Sequence, residues 1–246
     1  VSWAVLPGAG EIKISAHADT AGAIPQLRVS TTTATRGLAR MLMPFDAKGE
    51  SVFDLRTGRI RSLTESGHHR GKRTEHTVSF DYAAAQALYS APGDTGPPRP
   101  LPMPAGEPMD LITQLVQPRS WELKPGEKRD ALVLFDDDFY ELTIHAARYE
   151  AVSTSLGTFK TLVLEPRMEK TAPKGMFKRG SSVRVWISQD ELRLPVKFEV
   201  EFKIGTGVAT LTRHEAPEPA KAPAAADARA GKAEGRPATR AKNPDP

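Results

Sequence analysis

Three consecutive carboxylates, Asp136-Asp137-Asp138, followed by Glu141 and His145, are the residues of this chain best suited by type to do chemistry. Such a set could ligate a hard cation, or Asp136, Asp138 and Glu141 could share the acid and base work of a hydrolase or carbohydrate-modifying enzyme. The spacing argues against both. Consecutive residues on a strand point alternately to opposite faces, and no D-x-D-x-D-G loop with a trailing Glu is present, so the run reads as a solvated hairpin tip. His68-His69 lies beside glycine and arginine, a loop composition suited at most to transient metal binding. The serines and histidines have no G-x-S-x-G elbow around them. Neither a P-loop nor a G-x-G-x-x-G is found, and the absence of cysteine removes disulfides, cysteinyl metal sites and a thiol nucleophile. The sequence therefore assigns no catalytic, cofactor-binding or metal-ligating residue, and no cofactor is expected. Trp3, Trp121 and Trp186 could line an apolar pocket, although core packing is the commoner fate of tryptophan.

The elements that would position such groups read as strands. Between Ser182 and Leu211, Val183, Val185 and Ile187 alternate with Arg184, Trp186 and Ser188. After the polar tetrad Ser188 to Glu191, Val196, Phe198, Val200, Phe202 and Ile204 alternate with Lys197, Glu199, Glu201 and Lys203. Period two is the mark of a strand with unlike faces; a helix would scatter the five apolar residues, and Pro195 fits only the first residue of a strand. The even-numbered face is expected to be buried. Gly205-Thr206-Gly207 is read as a tight reversal leading into a short returning strand.

Upstream, Val1, Trp3 and Val5 are expected to pair as a hairpin with the strand Ile12 to Ala18. Leu27 to Thr31 and Val52 to Leu55 read as further strands, and Thr74 to Asp81 as another that carries His76 as a neutral sheet residue. A short helix fits Leu38, Met41 and Leu42. Ala83 to Tyr89 reads as either helix or strand. The span 91–108 holds seven prolines and is expected to be an extended loop without helix or ladder. Asp110 to Val116 reads as two helical turns ended by Pro118, with Asp110 as cap or first-turn anion. Leu132 to Ile144 flanks the acidic tip, and Phe159 to Leu164 is a further strand. In all, roughly ten to twelve short strands imply an all-β fold, a strongly curved antiparallel sheet of half-barrel or barrel-like form with one or two short helices.

Of 246 residues, 39% are hydrophobic and 26% charged, with a net charge of +4 and both signs interspersed. That mild balance, without a dense basic and aromatic stripe, argues against nucleic acid as a partner; Arg70-Gly71-Lys72-Arg73 reads as a solvated tip. No run reaches the roughly 18 apolar residues of a membrane span. The chain starts at valine within a strand pattern, so removal of a leader is expected. Residues 1–215 form the expected β domain. Residues 216–246 contain no Leu, Ile, Val or aromatic residue and read as a disordered tail, with six Lys/Arg against four Asp/Glu.

Several segments together resemble a bacterial cell-envelope family known as domain of unknown function 3108. Val183-Arg-Val-Trp-Ile-Ser-Gln-Asp-Glu-Leu-Arg-Leu-Pro-Val-Lys is similar to its C-terminal signature, and Val1-Ser-Trp with Ala9-Gly-Glu to its opening. Ser79-Phe-Asp-Tyr, Leu123-Lys-Pro-Gly-Glu and Gly157-Thr-Phe-Lys-Thr-Leu-Val-Leu-Glu-Pro match segments between. The resemblance covers about residues 1 to 213 and implies an exported, periplasmic or envelope protein, similar in outline to half-barrel lipoprotein carriers. It brings no catalytic residues. The expected role is a non-enzymatic binding or scaffold module whose apolar groove, plugged by Leu111, Ile112 and Leu115 and lined by Trp186, takes an acyl chain or a partner's apolar segment. Peripheral envelope association is compatible with this. The alternatives are a carboxylate-dependent envelope hydrolase and a structural tether.

Overall fold

Alternation along the chain becomes ladder pairing in two sheets. The computed structural model describes residues 1–3, 8–69, 71–178, 180–203 and 205–216. The strands are β1 (Ser2–Trp3), β2 (Gly10–Asp19), β3 (Gln26–Thr35), β4 (Phe45–Asp54), β5 (Ile60–His69), β6 (Lys72–Asp81), β7 (Gln86–Ser90), β8 (Arg99–Pro102) and β9 (Pro108–Asp110) in the first half. They continue as β10 (Lys128–Phe135), β11 (Asp138–Thr154), β12 (Gly157–Arg167), β13 (Ser182–Ser188), β14 (Pro195–Phe202) and β15 (Gly205–Thr210). Helix α1 (Gly37–Leu42) joins β3 to β4, and α2 (Thr113–Val116) follows β9. Sheet A has the order β1-β15-β14-β13-β12-β11-β10-β9, and sheet B runs from β2 to β8 in sequence order and curls into a half-barrel. The fold class is thus the one that the alternation implied. By contact pattern, Val1–Arg213 forms one unit and His214–Pro246 another. The expected disorder of the tail concerns residues that, from 217 onward, lie outside the described ones.

Sheet A buries both faces. Val133, Leu142, Ile144, Leu162, Leu164, Val185 and Ile187 lie on one side, covered by Trp121, Leu111, Leu115 and Met168. Val152, Val163, Trp186, Leu194 and Val196 make a second cluster, so neighbours such as Leu162 and Val163 on one strand serve different cores. Sheet B contributes Val29, Phe53, Ile60, Leu63 and Val78 to a third cluster, which Leu134, Met109 and Phe139 of sheet A complete. That third cluster is the seam between the sheets.

Several expectations are corrected. β1 does not pair with β2; it is two residues long and lies antiparallel to β15, while β2 pairs with β3. Val5 and Pro7 lie outside the described residues, as do Arg70 and Ile204. The proline-rich span holds two strands, β8 and β9, at sheet edges. In β8 the Met103 N–H bonds the Ala85 carbonyl, so by the two-residue period Leu101 and Arg99 also face β7, and Pro100 and Pro102 turn their ring nitrogens to the free edge. β9 is parallel to β10, an exception to the antiparallel pattern. Residues 82–85 form a turn, after which β7 is strand. The last reversal falls between Phe202 and Gly205, which are partners, so Gly205-Thr206-Gly207 is strand instead of turn.

The even-numbered face of β14 is not one face. Trp186 pairs with Lys197 and Ile187 with Pro195, leaving Val196 unpaired in a bulge. An extra residue reverses the facing of what precedes it. Val196 accordingly packs with Trp186, whereas Phe198 packs against the opposite cluster with Val185.

Candidate functional site

The acidic tip is the two-residue turn between Phe135 and Asp138, with Asp136 at φ 58°. Its carboxylates diverge. Asp136 Oδ1 lies 3.9 Å from His76 Nδ1, Asp137 Oδ2 bonds Arg99 Nη2 at 2.6 Å, and Asp138 Oδ1 meets Lys174 Nζ at 2.5 Å. Three partners on three different segments, His76, Arg99 and Lys174, hold them apart, so the tip works as a clasp. Glu141 projects from β11, and His145 pairs instead with Glu169 at 2.7 Å. Among the described residues no group of three or more His, Asp or Glu side chains is placed to hold a metal ion. His68 is an exposed strand residue of β5, partnered with Arg73 across the hairpin.

The residues assigned to a groove are not brought together. Leu111 and Leu115 pack against the core of sheet A beside Trp121, while Trp186 is buried in the separate cluster with Val152 and Val163, under the Lys197 ammonium 4.0 Å from its ring. Ile112 donates its N–H to Asp110 Oδ1 at 2.8 Å. At Leu111 only a pit of about 10 Å³ remains, between Val133, Phe135, Tyr140, Met176 and Phe177. That is room for about one water molecule, against the roughly 300 Å³ of an ordinary ligand pocket. Loops 111–123 and 168–177, more than the helices alone, close this concavity.

Asp110 is the joint between the sheets. Buried at the end of β9, it accepts Ser51 Oγ from β4 and Thr113 Oγ1, both at 2.6 Å, and the N–H groups of Ile112 and Thr113 at 2.8 and 2.9 Å. The expected two turns from Asp110 shrink to one, α2 beginning at Thr113 with Ile112 as its N-cap; Asp110 stands outside the helix, accepts the N–H groups at its start, and ties sheet B to the sheet A edge, which the sequence did not reveal.

The open surface lies elsewhere, on sheet B. Partners across the antiparallel ladders share a face. Val29, Ser51, Leu63 and Val78 form one such row and are buried in the seam. The next row toward α1 is Ile14, Thr31, Gly49, Glu65 and His76. Of these, only His76 is buried. His76 stacks on Tyr89 and has Glu65 3.3 Å from Nε2. The Glu65 carboxylate beside Nε2, with the charges of Asp136 and Asp137, raises its pKa above the usual histidine value, against the opposing effect of burial. His76 is thus a buried sheet residue, as its place in the strand implied, with acidic neighbours that favour its protonated form. Asp136 is also where sheet A's tip reaches this row.

One row further, Ile12, Thr33, Ala47, Gly67 and Thr74 share the face, none of them buried. On the opposite face of the same strands stand Glu11, Lys13, His17, Lys48, Glu50 and Glu75. Apart from Glu65 and His76 on β5 and β6, the strands thus keep a small-residue, uncharged inner side and a charged outer side past the point where the core ends. Gly49 keeps that inner side low, since a Cβ there would lie 2.8 Å from Thr31 Oγ1. A strand glycine of this sort marks close approach by another group. The alternation in Ile12, Ile14, Ala16 and Ala18 was legible; that nothing among the described residues covers Ile14 was not.

The sequence matches the family described as Protein of unknown function (DUF3108) over residues 1–212. The chain belongs to this family. A crystal structure titled as a beta-barrel-like protein of the domain of unknown function DUF1849, from Brucella abortus, is similar over 84% of this chain and 88% of that one. Its TM-score is 0.53 at 6% sequence identity. At that identity the likeness is one of fold. No curated protein matches the chain. No helix among the described residues is long and apolar enough to cross a membrane.

Proposed function

We propose that this member of the family is a non-enzymatic binding module of the bacterial envelope, and that its ligand-bearing surface is the inner face of sheet B between Ile12, Ile14, Thr33, Ala47 and Gly49. The observation that carries the reading is the uncovered but still alternating face: apolar and small residues continue inward where no core remains to receive them. These residues occupy two rows on three adjacent strands, roughly 7 Å along the strands by 10 Å across them. Its small, uncharged residues on β2, β3 and β4 suit an acyl chain laid along the pleat, bounded on β5 and β6 by Glu65 and His76. The pit at Leu111 does not, at its present size.

Titration with a dansyl-labelled fatty acid tests the reading. Binding is expected, and Ile14→Asp should abolish it while leaving the melting temperature unchanged, because Ile14 is exposed. Probe binding that survives Ile14→Asp but is lost on substituting Phe177 would move the site to the pit. No binding at all would remove the acyl-chain reading. Fractionation of the source cells tests the envelope location: recovery in the cytosol overturns it.

A further inference from the structure

Helix α1 is unusual in burying none of its own residues. Leu38, Met41 and Leu42 are 65%, 82% and 75% exposed, and Met43 beside them is also exposed. The chain could have ended β3 and begun β4 with a short polar turn; it places four long, flexible apolar side chains in solvent instead. The N-cap Arg36 makes no side-chain cap, and the helix is held by backbone bonds and by Arg40, which grips Asp46 through both guanidinium nitrogens at 2.9 and 2.8 Å.

What surrounds this knob is basic. Phe45 and Asp46, just after α1, pair with His69 and His68 of β5, and these pair with Lys72 and Arg73 of β6. The α1 connection and the β5–β6 hairpin therefore lie side by side at one end of sheet B. Segments 36–46 and 68–75 contain five Lys/Arg against two Asp/Glu, and Glu11 beside Arg36 makes a third acid, so this end keeps a positive excess of two. Arg36, Arg40 and Arg73 are partnered by Glu11, Asp46 and Glu75, while Lys72 stands exposed.

We propose that this end of sheet B docks on an anionic lipid bilayer, with Leu38, Met41 and Leu42 inserted among the acyl chains and Lys72 and Arg73 at the headgroups. Convexity and composition favour a bilayer over a protein partner. A knob of six residues needs a matching groove in a protein but none in a membrane. Apolar side chains rimmed by basic ones on a surface helix are the chemistry of interfacial binding. The inference goes beyond the acyl-chain reading and stands without it, although together they would place the open face next to the membrane.

Flotation of the full chain with vesicles of phosphatidylglycerol and phosphatidylethanolamine tests it, with phosphatidylcholine vesicles alongside. Binding is expected to the anionic vesicles, to weaken with salt, and to fall roughly tenfold or more when Leu38, Met41 and Leu42 are all replaced by Ser. The exposed positions predict an unchanged melting curve for that variant. Independently, Met41→Trp should show a blue-shifted emission on adding anionic vesicles and quenching by brominated acyl chains. No flotation, or equal flotation of the triple variant, overturns the proposal. So does a concentration-dependent dimer that the triple variant abolishes, since a second copy would then cover the knob. Because fatty-acid probe binding is measured without vesicles, failure of either proposal is distinguishable from failure of the other.

Discussion

The middle of sheet A and the α1 end of sheet B use the same two-residue alternation to opposite ends. In β13, Val185 and Ile187 enter one core and Trp186 enters another, so both faces of the strand are covered. In β2, Ile12, Ile14 and Ala16 alternate with Lys13, Ser15 and His17 just as regularly, yet Ile14 is 42% exposed. Alternation fixes which side of a strand calls for cover. Whether cover arrives is decided by how far other elements reach, here by the Asp136 tip, whose last partner on the inner face is His76.

The sharpest break of that contrast is a matched pair of truncations. Ile187 is 1% exposed, and Ile187→Ala should cost about 3–5 kcal/mol, from lost transfer energy plus the cavity left in a core that cannot collapse. Ile14→Ala should cost less than about 0.5 kcal/mol. Urea melts of the two variants decide the matter. Similar losses would mean that β2 has cover in solution.

Next in size is the joint between the regions. Asp110→Ala leaves two backbone N–H groups and two hydroxyls without their acceptor, at about 2–3 kcal/mol. Asp110→Asn should cost less, since the amide oxygen can serve the N–H groups while the Ser51 and Thr113 hydroxyls turn to accept from its NH2. If the joint couples the sheets, Asp110→Ala should also separate one melting transition into two.

How much of this was legible follows from the range over which each signal acts. The hairpins β10–β11, β11–β12 and β13–β14 were readable because pattern and turn residues are local. The bulge at Val196 was not, since one extra residue leaves composition and polarity untouched and shows only in the register with β13. The pairing of β1 with β15 joins the two ends of the domain and leaves no local mark. The proline-rich span hid β8 because prolines at alternate positions suit an edge, a fact of topology and not of propensity. For the site, the mistake at Trp186 came from treating the apolar residues as facing one concavity when sheet A has two covered faces.

The third prediction bears on the boundary row itself. His76 has a folded-state pKa above its unfolded value of about 6.5, because Glu65, Asp136 and Asp137 favour the imidazolium. The sign follows: its contribution is fully present below the unfolded pKa and is lost as pH rises through the higher folded pKa. Stability from urea melts should therefore fall as pH is taken from about 6 into the mildly alkaline range, and His76→Gln should flatten that dependence. An unchanged slope in His76→Gln would show that the clasp at Asp136 does not hold a charged imidazole.

The smallest effect separates the regions on their outer sides. Lys13 of β2 and Lys197 of β14 are both strand lysines beside a glutamate, Glu11 at 3.7 Å and Glu199 at 2.9 Å. Their side chains are 66% and 23% exposed. Lys13 reaches into water, where an ion pair contributes next to nothing. Lys197 lays its stem on sheet A and its ammonium over Trp186, so that what alternation marks as a solvent position is a cover for a buried ring. Lys197→Ala should cost about 1 kcal/mol through lost packing and cation–π attraction, and Lys13→Ala nothing measurable. A double-mutant cycle of Lys197→Ala with Trp186→Phe locates the source. Coupling between the two places the loss at the ring; independent effects would assign it to Glu199, and the outer faces of the two sheets would then differ only in exposure.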